Sequence, residues 1–140
     1  MAEGRHIPLS QDAALVLALA GTGLPFAHSA EDEAERWLRA LRLHGRVGAT
    51  LQALGVGESP LVPDSEHSDG HETPPLGPEV LDKVTRSATD FAAARESETV
   101  GTADLLFAVF DVYGQLFDRT LYLRGTGREE IVEKLSASRG

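Results

Sequence analysis

Two stretches of this chain carry one apolar pattern at a fixed separation, and that separation bounds the fold more tightly than any single motif. Val16 and Ala20 recur as Val84 and Ala88, Trp37-Leu38 as Leu105-Leu106, and Ala40-Leu41 as Ala108-Val109, all 68 positions on (84 − 16). Leu51-Gln52-Ala53-Leu54-Gly55 recurs as Leu121-Tyr122-Leu123-Arg124-Gly125, 70 positions on (125 − 55), so the first copy is two residues shorter in the turn near Gly45. A copy of this size is too thin to bury its own apolar stripe, and two copies packed face to face share one core. With 140 residues in all, the expectation is a single domain, residues 1–140. It divides into a first repeat over 10–55, a linker over 56–77 and a second repeat over 78–137.

The period within each copy is helical. Residues 1–9 read as a loose arm. Ser10 is an N-cap for a helix from about Gln11 to Ala20, with Gly21, Gly23 and Pro25 stopping or kinking it. The run Ala13 to Ala20 reads as a buried helix, too short to span a bilayer. Ser29 caps the next helix, Glu31, Asp32 and Glu33 crowd its first turn where the helix dipole favours negative charge, and Ala34, Trp37, Leu38 and Leu41 form its apolar face. Arg36, Arg39 and Arg42 fall between the stripe positions and are expected to face water. Val47, Leu51 and Leu54 mark a short third helix ended by Gly55. Val80, Leu81, Val84, Ala88, Phe91 and Ala92 set out a fourth, to about Glu96.

Thr102 then reads as a cap, Asp104 as a first-turn charge, and Leu105, Leu106, Val109, Phe110 and Tyr113 as the stripe of a fifth helix. Leu116, Phe117 and Leu121 lead to Gly125, and Thr126-Gly127-Arg128-Glu129 reads as a capping box before Ile131, Val132 and Leu135. The whole predicts about seven helices and no strand: an all-α fold.

Composition removes several functions. The net charge of −9, with a pI near 4.9, disfavours nucleic acid and anionic membrane surfaces, which need clustered Lys and Arg. An acidic surface suits solubility or a basic partner. The chain has no cysteine, which rules out disulfides, zinc–thiolate sites and a thiol nucleophile and fits a reducing cytoplasm. No G-x-x-x-x-G-K-[ST] loop, serine elbow or Ser-His-acid order stands out, and no catalytic residue is assigned. Glu66 and His67-Ser68-Asp69-Gly70-His71-Glu72 offer metal ligands in kind. With no rigid scaffold to preset them, this stretch reads as solvated linker, and neither metal nor cofactor is expected.

The arrangement resembles the N-terminal repeat domain of the Clp-type AAA+ unfoldases, two four-helix repeats around one core. Three features carry the likeness: a first helix reading like Val16-Leu17-Ala18-Leu19-Ala20, a central motif V/I-G-T-E-H-L-L-L-A-L, and a third helix ending L-x-x-L-G. Val100-Gly101-Thr102-Ala103-Asp104-Leu105-Leu106-Phe107-Ala108-Val109 matches the central motif except at its Glu-His pair, and Leu51 to Gly55 matches the ending. The likeness runs from about Leu9 to Leu135. Pro60 and Pro63 shorten or abolish the fourth helix of the first copy. Without an ATPase motif the chain is expected to be a stand-alone relative of the domain.

The resemblance implies a non-catalytic module that binds a protein or peptide, as an adaptor, decoy or regulator of a Clp-type protease or its substrates. In the family the motif Glu helps bind tagged peptides, including arginine-phosphorylated ones. The repeat offset carries that position onto Glu35, with Arg36 at the His position, and in the second copy onto Ala103 and Asp104. The implied peptide site uses Glu35 and Arg36, with Thr102 and Asp104, since a carboxylate makes a two-pronged contact with a guanidinium and alanine does not. The competing reading makes Glu35 and Asp104 solvated first-turn acids. The family's groove at the start of each repeat, which takes adaptors or cyclic peptides, maps to Leu9 and Leu76. A second function follows from that groove: sequestering a small ligand or cyclic-peptide antibiotic.

Overall fold

The computed structural model describes residues 7–56, 74–77 and 79–137. They form seven α-helices: α1 (Gln11–Gly23), α2 (Ala30–Leu43), α3 (Gly45–Ala53), α4 (Val80–Ala94), α5 (Thr102–Tyr113), α6 (Gln115–Leu123) and α7 (Arg128–Ala137), with a 3₁₀ turn Leu24–Phe26 after α1. Among the described residues extended pairing is confined to one isolated parallel bridge, Leu9 with Val100. The fold is all-α. No helix among the described residues is long and apolar enough to cross a membrane.

The serines cap as their spacing predicts. Ser10 Oγ accepts from Ala13 N–H and Ser29 Oγ accepts from Asp32 N–H, each at 3.1 Å, satisfying first-turn donors that the helix leaves open. Three local expectations fail. Helix α1 does not stop at Ala20: Gly21 and Gly23 continue it, and Pro25 sits at the start of the 3₁₀ turn, where its missing N–H leaves no bond unmade. Thr102 is the first residue inside α5, and Gly101 flanks it. Thr126 forms no capping box with Glu129; α7 begins at Arg128, and the Thr126 hydroxyl donates to Glu130 Oε1 at 2.8 Å.

The core is continuous. Trp37, Leu38, Leu41, Val47 and Leu51 meet Leu105, Leu106, Phe117, Leu121 and Ile131 in one apolar cluster, all buried. Burying a Leu or Phe side chain contributes about 1.5–3 kcal/mol, so this cluster is the main apolar contribution to stability. Helix α2 packs on α1, α3, α5 and α6; α5 packs on α4, α6 and α3; and α3 also meets α7. Gly45 enables the α3–α5 contact. Its φ is +76°, and a Cβ there would lie 2.7 Å from the Thr102 side chain, so only glycine satisfies both the backbone and the space.

The N-terminal arm is not loose from Ile7 onward. Ile7 is buried, Val100 N–H donates to Pro8 C=O at 2.8 Å and Ser10 N–H donates to Val100 C=O at 2.9 Å. Helix α1 is not a buried helix either. Ala13, Val16 and Ala20 face the core, while Leu15 and Leu19 are 41% and 40% exposed. Arg42 does not simply face water; its Nε donates to Val56 C=O at 2.8 Å, closing the end of α3 back onto α2.

Candidate functional site

The end of α1, the start of α2, the segment 74–77 and the start of α4 leave a space between them. A cavity of about 410 Å³ opens there, walled by Gly21, Leu24, Pro75, Val80 and Leu81, with Glu33 as the one polar side chain among the described residues that line it. That volume falls in the range of small-molecule sites, roughly 300–1,000 Å³.

Glu33 is 2% exposed. The sequence sets it in the first turn of α2, where the helix dipole favours its charge. It stands four residues before Trp37 and eight before Leu41, on the inward face of the helix. Its Oε1 accepts the Tyr113 hydroxyl at 3.2 Å and the Leu76 N–H at 3.1 Å, and Tyr113 in turn accepts from Trp37 Nε1 at 3.1 Å. These bonds tie α2 to the end of α5 and to the segment before α4. Burial, and next the charge on Glu33, push the Tyr113 hydroxyl well above its ordinary value, because both disfavour a second negative charge. Among the described residues no cation pairs with Glu33 and no donor reaches Oε2.

The residues implied by the family likeness are largely engaged with one another's neighbours. Asp104 is fully buried and not solvated. Arg95 grips it in two-pronged fashion, Nε to Oδ1 at 2.9 Å and Nη2 to Oδ2 at 2.5 Å, while Gly101 N–H donates to Oδ2 at 2.9 Å. The hydrogen bond to Asp104 holds the Arg95 guanidinium above its ordinary value. Glu35 lies 3.6 Å from Arg124 Nη2, and the Arg124 side chain is 1% exposed. Arg36 pairs with Asp32 one turn back at 3.4 Å. Thr102 is buried against Gly45. Leu9 and Leu76 are each a little over a third exposed. Leu9 sits in the bridge to Val100, and Leu76 flanks the cavity, giving its N–H to Glu33.

The structure therefore sets Leu76 between two wall residues of the cavity, Pro75 and Gly77, with only its N–H engaged by Glu33, and leaves Glu35, Arg36, Thr102 and Asp104 in separate local partnerships. The residue that sequence reasoning passed over is Glu33. The spacing 33–37–41 was the available signal, since an acid in register with Trp37 and Leu41 shares their face. The stretch His67 to Glu72 lies outside the described residues, and among those described no group of three or more His, Asp or Glu side chains converges as a metal site. Compared with protein-family models and with curated protein sequences, the chain matches none.

Proposed function

We propose that the chain is a non-catalytic binding module built like the N-terminal repeat domain of Clp-type unfoldases, with a protein or peptide as partner. The packing supports the repeat. Exchanging α1, α2 and α3 for α4, α5 and α6 turns α2-on-α6 into α5-on-α3, α1-on-α2 into α4-on-α5, and α2-on-α3 into α5-on-α6, and all six contacts are present. Gly55 and Gly125, the closing residues of the repeated segments, both have left-handed φ, +84° and +83°.

The observation that carries a protein partner is the outer face of α1. Leu15 and Leu19 stand one turn apart there, each about two-fifths exposed, and Phe26 beyond them is 68% exposed. Grouped exposed apolar side chains mark interaction surfaces. The module serves as an adaptor, decoy or regulator of a Clp-type protease. The test is direct binding of the purified chain to purified Clp unfoldase and protease subunits, with Leu15→Glu/Leu19→Glu as control. Saturable binding lost in the double variant, with the fold intact, supports the reading; no binding by the wild type to any subunit rejects it. An arginine-phosphorylated peptide titrated against wild type and Glu35→Ala tests the peptide site, and equal, negligible binding removes Glu35 from it.

The cavity favours a second reading, a protein that sequesters a small ligand or cyclic peptide between α1 and α4.

A further inference from the structure

We infer that the cavity between α1 and α4 takes a small apolar molecule bearing an ammonium group, with the Glu33 carboxylate as the acceptor for that group. The inference rests on the small-ligand reading above and adds the chemical class of the ligand.

Among the described residues the wall is apolar apart from Glu33, so the body of the ligand is apolar. A carboxylate withdrawn from water needs hydrogen bonds and a counter-charge. Glu33 has the first and lacks the second. Its donors, the Tyr113 hydroxyl and the Leu76 N–H, are both neutral and both serve Oε1. Among the described residues Oε2 has no donor and the carboxylate no cation. The other enclosed acid among the described residues, Asp104, has its guanidinium. A ligand ammonium would supply to Glu33 what Arg95 supplies to Asp104. The Tyr113 bond fixes the carboxylate, and Tyr113 is itself held by Trp37, so the acceptor is positioned before any ligand arrives.

The chain has one Trp, and its indole is two hydrogen bonds from the carboxylate, so its emission reports on the cavity. The 140-residue chain is titrated with phenethylammonium and with the neutral isostere 2-phenylethanol. The ammonium is expected to bind saturably and about tenfold or more tighter than the alcohol, the margin of a charge-assisted hydrogen bond in a partly enclosed site. Glu33→Gln should bring the two ligands together. Gly21→Leu, which fills the wall opposite Leu81 and leaves Glu33 in place, should abolish both. If Glu33→Gln fails to fold, the wild-type preference and Gly21→Leu carry the test. Equal affinity for the two ligands in the wild type, or an unchanged preference in Glu33→Gln, overturns the ammonium assignment while the small-ligand reading stands. No saturable binding of either ligand overturns both.

Discussion

Among the described residues the two most enclosed carboxylates, Asp104 and Glu33, stand in the first turns of equivalent-looking helices and are treated in opposite ways. Asp104 is the third residue of α5. From there it reaches back to the Gly101 N–H and receives both prongs of Arg95. Asp32, the third residue of α2, does the same in lighter form, accepting the His28 N–H and pairing with Arg36. Glu33 is one residue further on. That single step of about 100° around the helix turns it from the capped end toward the core, where it meets neutral donors and an open cavity. An acid near a helix start is explained by the dipole alone only until its face is known.

Breaking the cation side of this contrast has the largest expected effect. Arg95→Met leaves the Asp104 carboxylate buried with one backbone donor. A loss of about 3 kcal/mol is expected, the lower end for an orphaned buried charge because Arg95 is itself half exposed. Urea denaturation should show it as a lower midpoint at unchanged slope. A loss under about 1 kcal/mol would mean that the pair is mostly screened.

Tyr113→Phe attacks the neutral side. It leaves the Trp37 N–H without an acceptor and removes one of two donors from Glu33, for an expected cost of about 1–3 kcal/mol. The same variant tests a pH effect. The folded Tyr113 hydroxyl ionises well above its ordinary value of 10.0, so above about pH 10 the unfolded chain releases a proton that the folded chain retains. That contribution to stability is whole below pH 10 and falls as pH rises beyond it. The tyrosinate absorbance that belongs to Tyr113 should therefore rise together with unfolding and be missing from Tyr113→Phe. A rise of that part near pH 10 while the protein is still folded would contradict the burial of Tyr113.

The smallest effect is expected from Glu33→Gln, about 1 kcal/mol or less, because the amide oxygen still accepts from Tyr113 and Leu76. Near-neutrality sharpens the contrast. It means that the negative charge of Glu33 contributes little to the fold and is free to act on a ligand. A loss rivalling that of Arg95→Met would place Glu33 among the structural acids.

The fold was readable where the causes are local. Ser10 and Ser29 cap because hydroxyl and backbone donor lie three residues apart, and Trp37, Leu38 and Leu41 are buried because the 3.6-residue period gathers them. The helix stripes and the closing glycines were legible for the same reason. The cavity was not. Glu33 meets Tyr113 from 80 residues away and Leu76 from 43, and nothing local distinguishes it from Glu31 or Asp32 except its face. Thr102 misled in the other direction: a residue suited to capping lies inside the helix because Gly45 admits it there. The exposed half of α1 escaped notice because eight apolar residues in a row hide which of them turn outward.

The bridge between Leu9 and Val100 gives the residues from Ile7 to Ser10 a task far along the chain. Pro8 and Ser10 hold both backbone groups of Val100, immediately ahead of α5. Trimming the polypeptide past Pro8, or fusing a bulky tag close against Ile7, would therefore be felt most at the loop that launches α5, the helix carrying Asp104 and Tyr113. The front end of this protein works as a strap across its second half.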